Sequence, residues 1–340
     1  MAKIITFGEL MIRLQPFHYE RFVQADTLAF SFGGGEANVA VSLANFGMDA
    51  AFVSKLPAHA IGQAALNSLR RYGVDTSHIV RGGERVGIYF NEKGASQRPS
   101  VCIYDRAHSA IAEAHENDFD WDAIFEGADW FHFTGISPAL GENVANICEK
   151  ACIAAKKRGI KISCDLNYRA KLWSREQARE TMSRLCRYVD VCISNEEDAK
   201  DVFGIEAEAT DITAGELNRK GYESVARQLM ERFGFEKVAI TLRESKSAFD
   251  NDWSAMLYDG ESYCFSKKYS LHIVDRIGGG DSFGAGLIYA LLNGKDTCRA
   301  VEFAVAASAL KHSVEGDYNM VSVAEVEKLA GGDGSGRVQR

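Results

Sequence analysis

The chain alternates between short runs of apolar residues and longer segments in which apolar residues recur every three or four positions. A short run bounded by glycine or polar residues predicts a buried strand, and the longer spacing predicts an amphipathic helix. Strands are predicted at 3–7, 51–54, 130–134, 160–165, 191–194 and 237–242, and helices at 61–72, 143–157, 175–188, 196–203, 221–233 and 296–314. Because strands that alternate with helices form parallel sheets covered on both faces, we expect an α/β fold with a doubly wound, mostly parallel sheet flanked by helices.

Two other segments, 12–32 and 85–110, show imperfect alternation of polar and apolar residues. This pattern predicts strands, and we expect the two segments to pair as a small separate β-sheet. We therefore assign 1–330 to one α/β domain that carries this discontinuous small sheet. The glycine-rich segment 331–340 predicts a disordered tail.

Composition narrows the class of protein. With 340 residues, of which 46% are hydrophobic, the chain can bury a large core. The formal net charge of −8 and the lack of a basic block argue against a nucleic-acid partner, and no apolar run is long enough to span a membrane. The eight cysteines are scattered without a Cys-x-x-Cys pair, so we expect reduced, buried thiols in a cytoplasmic protein.

The stretch with the most chemical information is 275–292, where the pattern predicts a glycine turn followed by a helix. Gly278, Gly279 and Gly280 allow a tight turn that brings N–H groups together at the helix start. There the helix dipole favours an anion such as phosphate. Asp281 follows directly. Its carboxylate suits a loop that stabilises negative charge while Asp281 accepts a proton from an attacking hydroxyl.

Two other interpretations of this stretch remain open. Asp281 can be the N-cap of an ordinary helix that follows a structural glycine turn. The glycines also resemble a dinucleotide-binding fingerprint. However, the spacing from Gly280 to Gly284 is one residue too long, and the stretch lies far from a first β-α-β unit.

Polar residues follow several of the predicted strands. Ligands of open α/β sheets bind beyond the carboxyl ends of the strands. The residues at these ends are Gly8 and Glu9, Asp165 to Arg169, Ser194 to Asp198, Thr241 to Glu244 and Gly278 to Asp281. Their convergence predicts an active site at this edge of the sheet.

Two of these strand ends combine acids with amides. Asp165, Asn167 and Arg169 follow one strand, and arginine can bind a carboxylate or phosphate through two parallel N–H bonds. The alternative is an Asp165–Arg169 pair that only fixes the loop. Asn195 and Asp198 open the next helix, where such residues are typical either of helix capping or of a water-mediated Mg²⁺ site.

In the small sheet, Tyr89, Tyr104 and Arg106 lie on neighbouring predicted strands. They can face a ligand or form ordinary cross-strand pairs, and both interpretations stay open. The eight histidines show no spacing typical of metal ligands.

Two motifs, Gly33-Gly-Gly-Glu-Ala-Asn38-x-Ala40 and Asp275-x-x-Gly-Gly-Gly-Asp281-x-Phe283, resemble the two signatures of the ribokinase-like (PfkB) sugar kinases. The order of predicted elements is also similar to that family over nearly the whole chain. The resemblance implies a doubly wound α/β domain with a small β-sheet lid. It further implies phosphoryl transfer from ATP, with Mg²⁺, to a sugar hydroxyl, a reaction in which positioning and charge stabilisation carry most of the rate.

The resemblance also implies roles for individual residues. Asp281 is the base, and the amides of Gly278, Gly279, Gly280 and Asp281 form an anion hole for the transferring phosphoryl group. The residues implied to bind the sugar are Gly34, Gly35, Asn38, Tyr89, Tyr104, Arg106, Arg169 and Asp317. Those implied to bind ATP are Asn167, Asn195, Thr241, Arg243 and Glu244, and those implied to hold Mg²⁺ through water are Asn195 and Asp198.

Within the family, the chain is most similar to the 2-keto-3-deoxygluconate kinases. Glu36 stands where many fructokinases have proline, and Arg106 and Arg169 supply cations for a sugar acid. The similarity implies phosphorylation of the terminal primary hydroxyl of 2-keto-3-deoxygluconate, which gives the 6-phosphate. A kinase of fructose or another neutral ketose and a non-catalytic sugar-binding relative are the alternatives. An exposed face of the lid predicts a homodimer or higher homo-oligomer.

The sequence departs from the family pattern at several places. Gly279 replaces the usual alanine of the anion hole, a change that we expect to be harmless, and Asp198 replaces a glutamate. Residues 241–245 lack the glycines usual in the nucleotide loop, which leaves the nucleotide preference open. Asp105 interrupts a Tyr-Tyr-Arg sequence found in many relatives, which leaves the exact substrate open.

Overall fold

The computed structural model describes residues 1–206, 219–334 and 336. The strands are β1 (Lys3–Phe7), β2 (Met11–Gln15), β3 (Ala29–Gly33), β4 (Asp49–Leu56), β5 (Ile79–Arg81), β6 (Ile88–Glu92), β7 (Val101–Asp105), β8 (Trp130–Thr134), β9 (Lys161–Asp165), β10 (Val191–Asn195), β11 (Lys237–Ser245), β12 (Asp250–Tyr258), β13 (Tyr263–Phe265) and β14 (Tyr269–His272). The helices are α1 (Gly35–Asn45), α2 (Ala60–Arg70), α3 (Trp121–Ile124), α4 (Glu142–Lys157), α5 (Arg175–Leu185), α6 (Asp198–Phe203), α7 (Arg219–Phe233), α8 (Gly279–Leu292), α9 (Thr297–Lys311) and α10 (Val323–Ala330). Half of the predicted disordered tail, residues 335 and 337–340, lies outside the described residues.

The larger sheet contains ten strands in the order β13-β12-β11-β10-β9-β8-β1-β4-β5, with β14 paired to β12. Its strands are parallel from β11 to β5. The chain runs outward from β1 to β5 on one side and from β8 to β11 on the other, so the strand order reverses between β1 and β8. Such a reversal is where ligands of doubly wound sheets bind. The predicted α/β fold, with a mostly parallel sheet and a separate small sheet, is confirmed.

The sequence pattern does not predict the antiparallel edge of this sheet, where β12 pairs with β11, β13 and β14. Strand β12 begins with Asp250, Asn251 and Asp252, whose residue types are depleted in strands. Pairing with the long strand β11 overrides this weak local preference.

The sequence pattern also does not predict helix α10.

The helices cover both faces of the large sheet. Helices α1, α8 and α9 share one hydrophobic cluster, α4, α5 and α7 share a second, and α1 and α2 share a third. Gly286 allows α8 and α9 to approach closely, because a Cβ at this position would lie 2.9 Å from the Cα of Ala304. None of the described helices combines the length and hydropathy needed to cross a membrane. This packing holds the starts of α1 and α8 at fixed positions beside the strand ends.

The smaller sheet has the order β3-β2-β6-β7. Its strands come from residues 11–33 and 88–105, so it is built from two separate parts of the chain. One face carries Tyr89 toward the large sheet, where that side chain is buried. Phe30 and Ile103 are each 51% exposed. The sheet therefore forms a lid with apolar side chains in contact with solvent.

The prediction that all eight cysteines are reduced thiols is wrong for two of them. Cys264 of β13 and Cys298 of α9 form a disulfide, with their Cα atoms 5.0 Å apart. The two residues meet because α9 packs against this edge of the sheet. The other six cysteines are free, and only Cys102 among them is partly exposed.

Candidate active site

A cavity of about 310 Å³ opens at the carboxyl edge of the large sheet, under the lid. The ends of β9, β10 and β11 and the loop before α8 meet here, as the convergence of polar strand ends predicts. Every residue given a catalytic, ligand-binding or metal-binding role from the sequence lines this cavity except Glu244, whose carboxylate lies 2.7 Å from the Nζ atom of Lys268. The lining residues outside that prediction are Met11, Ile136, Asp165, Ile193, Ser194, Trp253, Arg276 and Ile277. Gly8 and Glu9, at the strand end after β1, were also expected at this edge but do not line the cavity.

The glycine turn before α8 exposes a helix start to the cavity. Gly278 has a φ of 81°, and a Cβ there would lie 2.1 Å from the carbonyl oxygen of Asp317. No side chain caps this helix start. At Gly280, an added Cβ would meet no atom within 4 Å, so the space beside the turn is open. The N–H of Gly279 donates to the carbonyl oxygen of Arg276 at 3.4 Å, whereas the N–H groups of Gly280 and Asp281 have no hydrogen-bond partner among the described residues. Unpaired amides at a helix start favour an anion.

Gly279 is fixed by its contact with His312. A Cβ at Gly279 would lie 2.5 Å from the Cε1 atom of the His312 ring, which packs behind the turn. Nδ1 of His312 lies 2.7 Å from the carbonyl oxygen of Ser308, and burial lowers the pKa of His312 to about 4. The neutral ring thus occupies the space that an alanine side chain at position 279 would need, so in this chain glycine fits the turn and alanine does not.

Asp281 lies in the first turn of α8 and faces the cavity. Its Oδ2 atom accepts a hydrogen bond of 2.7 Å from Nδ2 of Asn38 in α1. Burial raises the pKa of Asp281 to about 7, against the opposing effect of the Asn38 hydrogen bond. A carboxyl group with this pKa can accept a proton at neutral pH and release it again.

Glu36, the acid that follows the first glycine triplet, has a different environment. Its Oε1 atom accepts hydrogen bonds from the backbone N–H of Thr134 at 3.0 Å, from Oγ1 of Thr134 at 2.8 Å and from Oγ of Ser137 at 2.8 Å. The side chain is buried and does not line the cavity. Glu36 therefore ties α1 to β8, and its presence is not a sign of an acidic substrate.

The acids at the ends of β9 and β10 face one another. Asp198 accepts hydrogen bonds from the backbone N–H groups of Tyr168 at 3.1 Å and Asn195 at 3.4 Å. The Oδ1 atom of Asn195 accepts bonds from the backbone N–H groups of Glu197 and Asp198, so Asn195 closes the turn that leads into α6, while the N-cap residue Glu197 makes no side-chain cap bond. Burial, followed by the charges of Asp198 and Asp281, raises the pKa of Asp165.

These mutually repelling carboxylates favour a cation beside them. No group of three or more histidine, cysteine or acidic side chains among the described residues is arranged to hold a metal directly. Oxygen donors of this kind fit a Mg²⁺ ion that keeps several of its waters.

The two predicted carboxylate-binding arginines differ in their partners. Arg106 is paired with Glu9, with Nε 2.8 Å from Oε2, and both side chains are buried. Arg169 donates to the carbonyl oxygen of Tyr168 at 2.9 Å and has no carboxylate partner among the described residues. Of the two arginines, Arg169 is therefore the one whose guanidinium can pair with the carboxylate of a ligand.

A buried network around Arg13 is the feature that the sequence pattern does not reveal. The guanidinium of Arg13 lies 2.6 Å from Asp275 and 2.7 Å from Asp317, and the hydroxyl of Tyr89 donates to Asp317 at 2.6 Å. Asp275 also accepts from the N–H of Gly316 at 3.1 Å. The network therefore connects the lid strand β2 with the loop before α8. A charged residue in the apolar run of β2 is the signal that could have revealed it.

A mostly parallel sheet flanked by helices, with a separate small sheet as a lid, is the fold of the ribokinase-like enzymes. Residues 1–324 match the family described as "pfkB family carbohydrate kinase". The chain belongs to this family.

Three relatives illustrate the similarity. The crystal structure of 2-dehydro-3-deoxygluconokinase from Thermotoga maritima is 50% identical, has a TM-score of 0.94 and covers 98% of this chain and 100% of its own. The 2-dehydro-3-deoxygalactonokinase of Haloferax volcanii is 34% identical, over 98% of each chain. The 2-dehydro-3-deoxygluconokinase of Bacillus subtilis is 29% identical, over 96% of this chain and 94% of its own.

Proposed function

We propose that this protein transfers the γ-phosphoryl group of ATP to the terminal primary hydroxyl of a 2-keto-3-deoxy sugar acid. The product of 2-keto-3-deoxygluconate is then its 6-phosphate. The observation that carries this proposal is that Asp281, at the open glycine turn, shares one cavity with Arg169, a cation without a carboxylate partner among the described residues. The names of the similar proteins support the same substrate class.

In the proposed reaction, the Asp281 carboxylate accepts the proton of the sugar hydroxyl as its oxygen attacks the γ-phosphorus. The bond from phosphorus to the bridging oxygen breaks, and ADP leaves with that electron pair. The amides of Gly278, Gly279, Gly280 and Asp281 donate to the oxygens of the transferring group, where charge accumulates. Asn38 holds the Asp281 carboxylate in position.

The sugar acid is proposed to bind under the lid. Its carboxylate binds Arg169 through paired N–H bonds, since that guanidinium has no acidic partner among the described residues. Arg106 already forms an ion pair with Glu9, so we propose that it contributes to the sugar site without being the main partner of the carboxylate. The remaining proposed sugar contacts are Gly34, Gly35, Asn38, Tyr89, Tyr104 and Asp317.

The nucleotide is proposed to bind at the ends of β10 and β11. The proposed contacts that line the cavity are Asn167, Asn195, Thr241 and Arg243. Mg²⁺ bound with ATP would be held through water by Asn195 and Asp198, and it would neutralise charge on the phosphate oxygens.

The first experiment compares substrates in a coupled assay of ADP release with ATP and Mg²⁺. We expect 2-keto-3-deoxygluconate or its galactonate-derived epimer to exceed fructose by about a hundredfold in kcat/KM, which corresponds to about 2.7 kcal/mol. Comparing the two epimers identifies the acid. A preference for fructose would refute the acid-specific function while leaving the family assignment intact.

A matched pair of variants tests the role of Arg169. Arg169→Ala is expected to reduce kcat/KM for the acid far more than for fructose, because only the acid offers a carboxylate. Arg187→Ala is the control, since Arg187 is exposed and lies before β10, at the opposite edge of the sheet. Equal losses on both sugars would exclude a carboxylate contact at Arg169.

We further propose that the chain forms a homodimer through the lid. The apolar side chains of Phe30 and Ile103, each 51% exposed, support this arrangement. Size-exclusion chromatography at micromolar concentration tests it, and a monomeric elution volume would refute it.

A further inference from the structure

Four arginine side chains line the cavity, and they fall into two groups. Arg106 is neutralised by Glu9. Arg169, Arg243 and Arg276 have no carboxylate partner within ion-pair distance among the described residues, although acids are plentiful on the same cavity wall. The proposed function uses Arg169 for the sugar acid and Arg243 for ATP. Arg276 has no role in it.

Arg276 and Arg243 are both held in place by neutral groups. Nη2 of Arg276 donates to the carbonyl oxygen of Ala248 at 3.2 Å. The guanidinium of Arg243 lies over the ring of Trp253, 5.1 Å from the ring centre. A carbonyl group and an aromatic face orient a guanidinium without cancelling its charge. The fold thus positions two positive charges and leaves both available.

The guanidinium groups of Arg276 and Arg243 are close enough for the charge of one to change the pKa of the other. Burial, followed by the positive charge of Arg243, lowers the pKa of Arg276. Arg276 is partly buried and Arg243 is exposed. Their like charges repel each other, and this repulsion is relieved when an anion binds between or beside them. Such a pair is unfavourable in the empty protein and favourable once an anion is bound.

The position of Arg276 in the chain indicates which class of anion the two arginines would bind. It lies two residues before Gly278, in the same loop that provides the amides for the transferring phosphoryl group. Arg243 lies near the end of β11, where the nucleotide is proposed to bind. An anion that reaches from the glycine turn to both guanidinium groups must be extended and carry several charges, as a polyphosphate chain does.

We infer that Arg276 and Arg243 together bind the polyphosphate chain of the phosphoryl donor, and that Arg276 is a specificity-determining contact for it. The inference rests on the proposed function in taking a nucleoside triphosphate as the donor. The competing occupant is the carboxylate of the sugar acid, which would make Arg276 a second acid-binding residue.

The test is the binding of ATP, ADP, adenosine and inorganic tripolyphosphate, measured by calorimetry with Mg²⁺ and without sugar. Arg276→Met retains the apolar stem of the side chain and removes its charge. We expect it to weaken ATP and tripolyphosphate binding about tenfold, because one charge-assisted phosphate contact is lost. Adenosine binding, measured by competition, should stay within about twofold, since adenosine has no phosphate.

Two further variants serve as controls. Arg276→Lys keeps a positive charge without the paired N–H geometry, so its affinity for ATP should lie between those of the wild type and Arg276→Met. Arg187→Met makes the same side-chain change at an exposed position beyond the opposite edge of the sheet and should bind ATP as the wild type does. A structural effect of Arg276→Met would weaken adenosine as well as ATP, and that result would overturn the inference.

The outcomes separate this inference from the proposed function. If the wild type and Arg276→Met bind ATP and tripolyphosphate equally, the arginine inference is wrong while an ATP-dependent kinase remains supported. If the wild type binds tripolyphosphate but not ATP, and Arg276→Met loses it, Arg276 is confirmed as a polyphosphate contact, whereas the ATP-dependent function and the identity of the donor are both wrong. In a kinetic assay, a rise in KM for the sugar acid alone would assign Arg276 to the competing occupant.

Discussion

The chain contains the same local pattern twice, three glycines followed by an acid at the start of a helix. Gly33 to Glu36 opens α1, and Gly278 to Asp281 opens α8. The two helix starts face each other across the site, since a Cβ at Gly35 would lie 3.6 Å from Oδ1 of Asp281. Neither helix start has a side-chain cap. From their sequence patterns the two acids are hard to distinguish.

The surroundings of Glu36 and Asp281 differ in their hydrogen-bond donors and in their access to the cavity. Glu36 is longer by one methylene and reaches β8, where one carboxylate oxygen accepts three hydrogen bonds. Asp281 accepts one, from Asn38, and faces the cavity. Burial raises the pKa of both acids, but only Asp281 is placed to exchange a proton with a ligand. The donors supplied by distant segments therefore decide which acid is structural and which is proposed to be catalytic.

The glycines of the two triplets differ only at the third position. A Cβ at Gly33 or Gly34 would lie 2.0 Å from Oδ2 of Asp317 or from the carbonyl oxygen of Glu9, and Gly278 and Gly279 are crowded in the same way. At the third position, a Cβ at Gly35 would make ordinary contacts with Asp281 and Thr134, whereas one at Gly280 would meet no atom within 4 Å. The open space for a ligand therefore lies beside Gly280.

Among the substitutions that distinguish Asp281 from Glu36, Asp281→Asn is expected to have the largest effect on kcat. It removes the proposed proton acceptor while keeping the shape of the side chain, so kcat should fall about 10²–10⁴-fold with little change in ATP affinity. Steady-state kinetics and ATP titration measure the two quantities. Turnover close to that of the wild type would place the proton acceptor elsewhere.

Glu36→Ala should chiefly affect stability. It leaves the donors of Thr134 and Ser137 without their acceptor in a buried site, at a cost of about 3 kcal/mol in the free energy of unfolding. Urea denaturation measures this loss. Glu142→Ala is the matched control, because Glu142 is an exposed acid in the first turn of α4 and should change stability little. A catalytic defect without a loss of stability would contradict the structural role of Glu36.

The pH dependence of turnover also distinguishes Asp281 from Glu36. The active form of Asp281 is the carboxylate, and a pKa of about 7 means that this form is lost as the pH falls through neutrality. We expect kcat to fall about tenfold for each pH unit below that pKa, reaching about a hundredfold at pH 5. A flat profile between pH 5 and pH 7, with a coupling system shown not to limit the rate, would exclude Asp281 as the titrating base.

Gly279→Ala should have the smallest of these effects, about a tenfold loss of kcat, because the new methyl group meets the ring of His312. His312→Ala creates space behind the turn, so the double variant should recover activity relative to Gly279→Ala alone. The coupling between the two substitutions is read from the double-mutant cycle. Strictly additive losses would show that the His312 ring does not set the shape of the turn.

The sequence alone predicted the mostly parallel sheet, the polar edge of that sheet and the glycine turn with Asp281. These features follow from local patterns, namely apolar periodicity, glycine spacing and the rule that parallel strands end at a common edge. The pairing of β12 with β11 and the disulfide between Cys264 and Cys298 do not follow, because they depend on which distant segments meet.

The tertiary structure alone decided the partners of the charged groups. It paired Arg106 with Glu9 and Arg13 with Asp275, left Arg169 and Arg276 without acidic partners among the described residues, and made Glu36 a buried anchor. Hydrogen bonds and ion pairs need their two groups within a few ångströms of each other, so they depend on contacts between residues far apart in the chain. The residue types are written in the sequence, whereas the roles of these charges were fixed only when the lid, the strand ends and the two glycine turns came together.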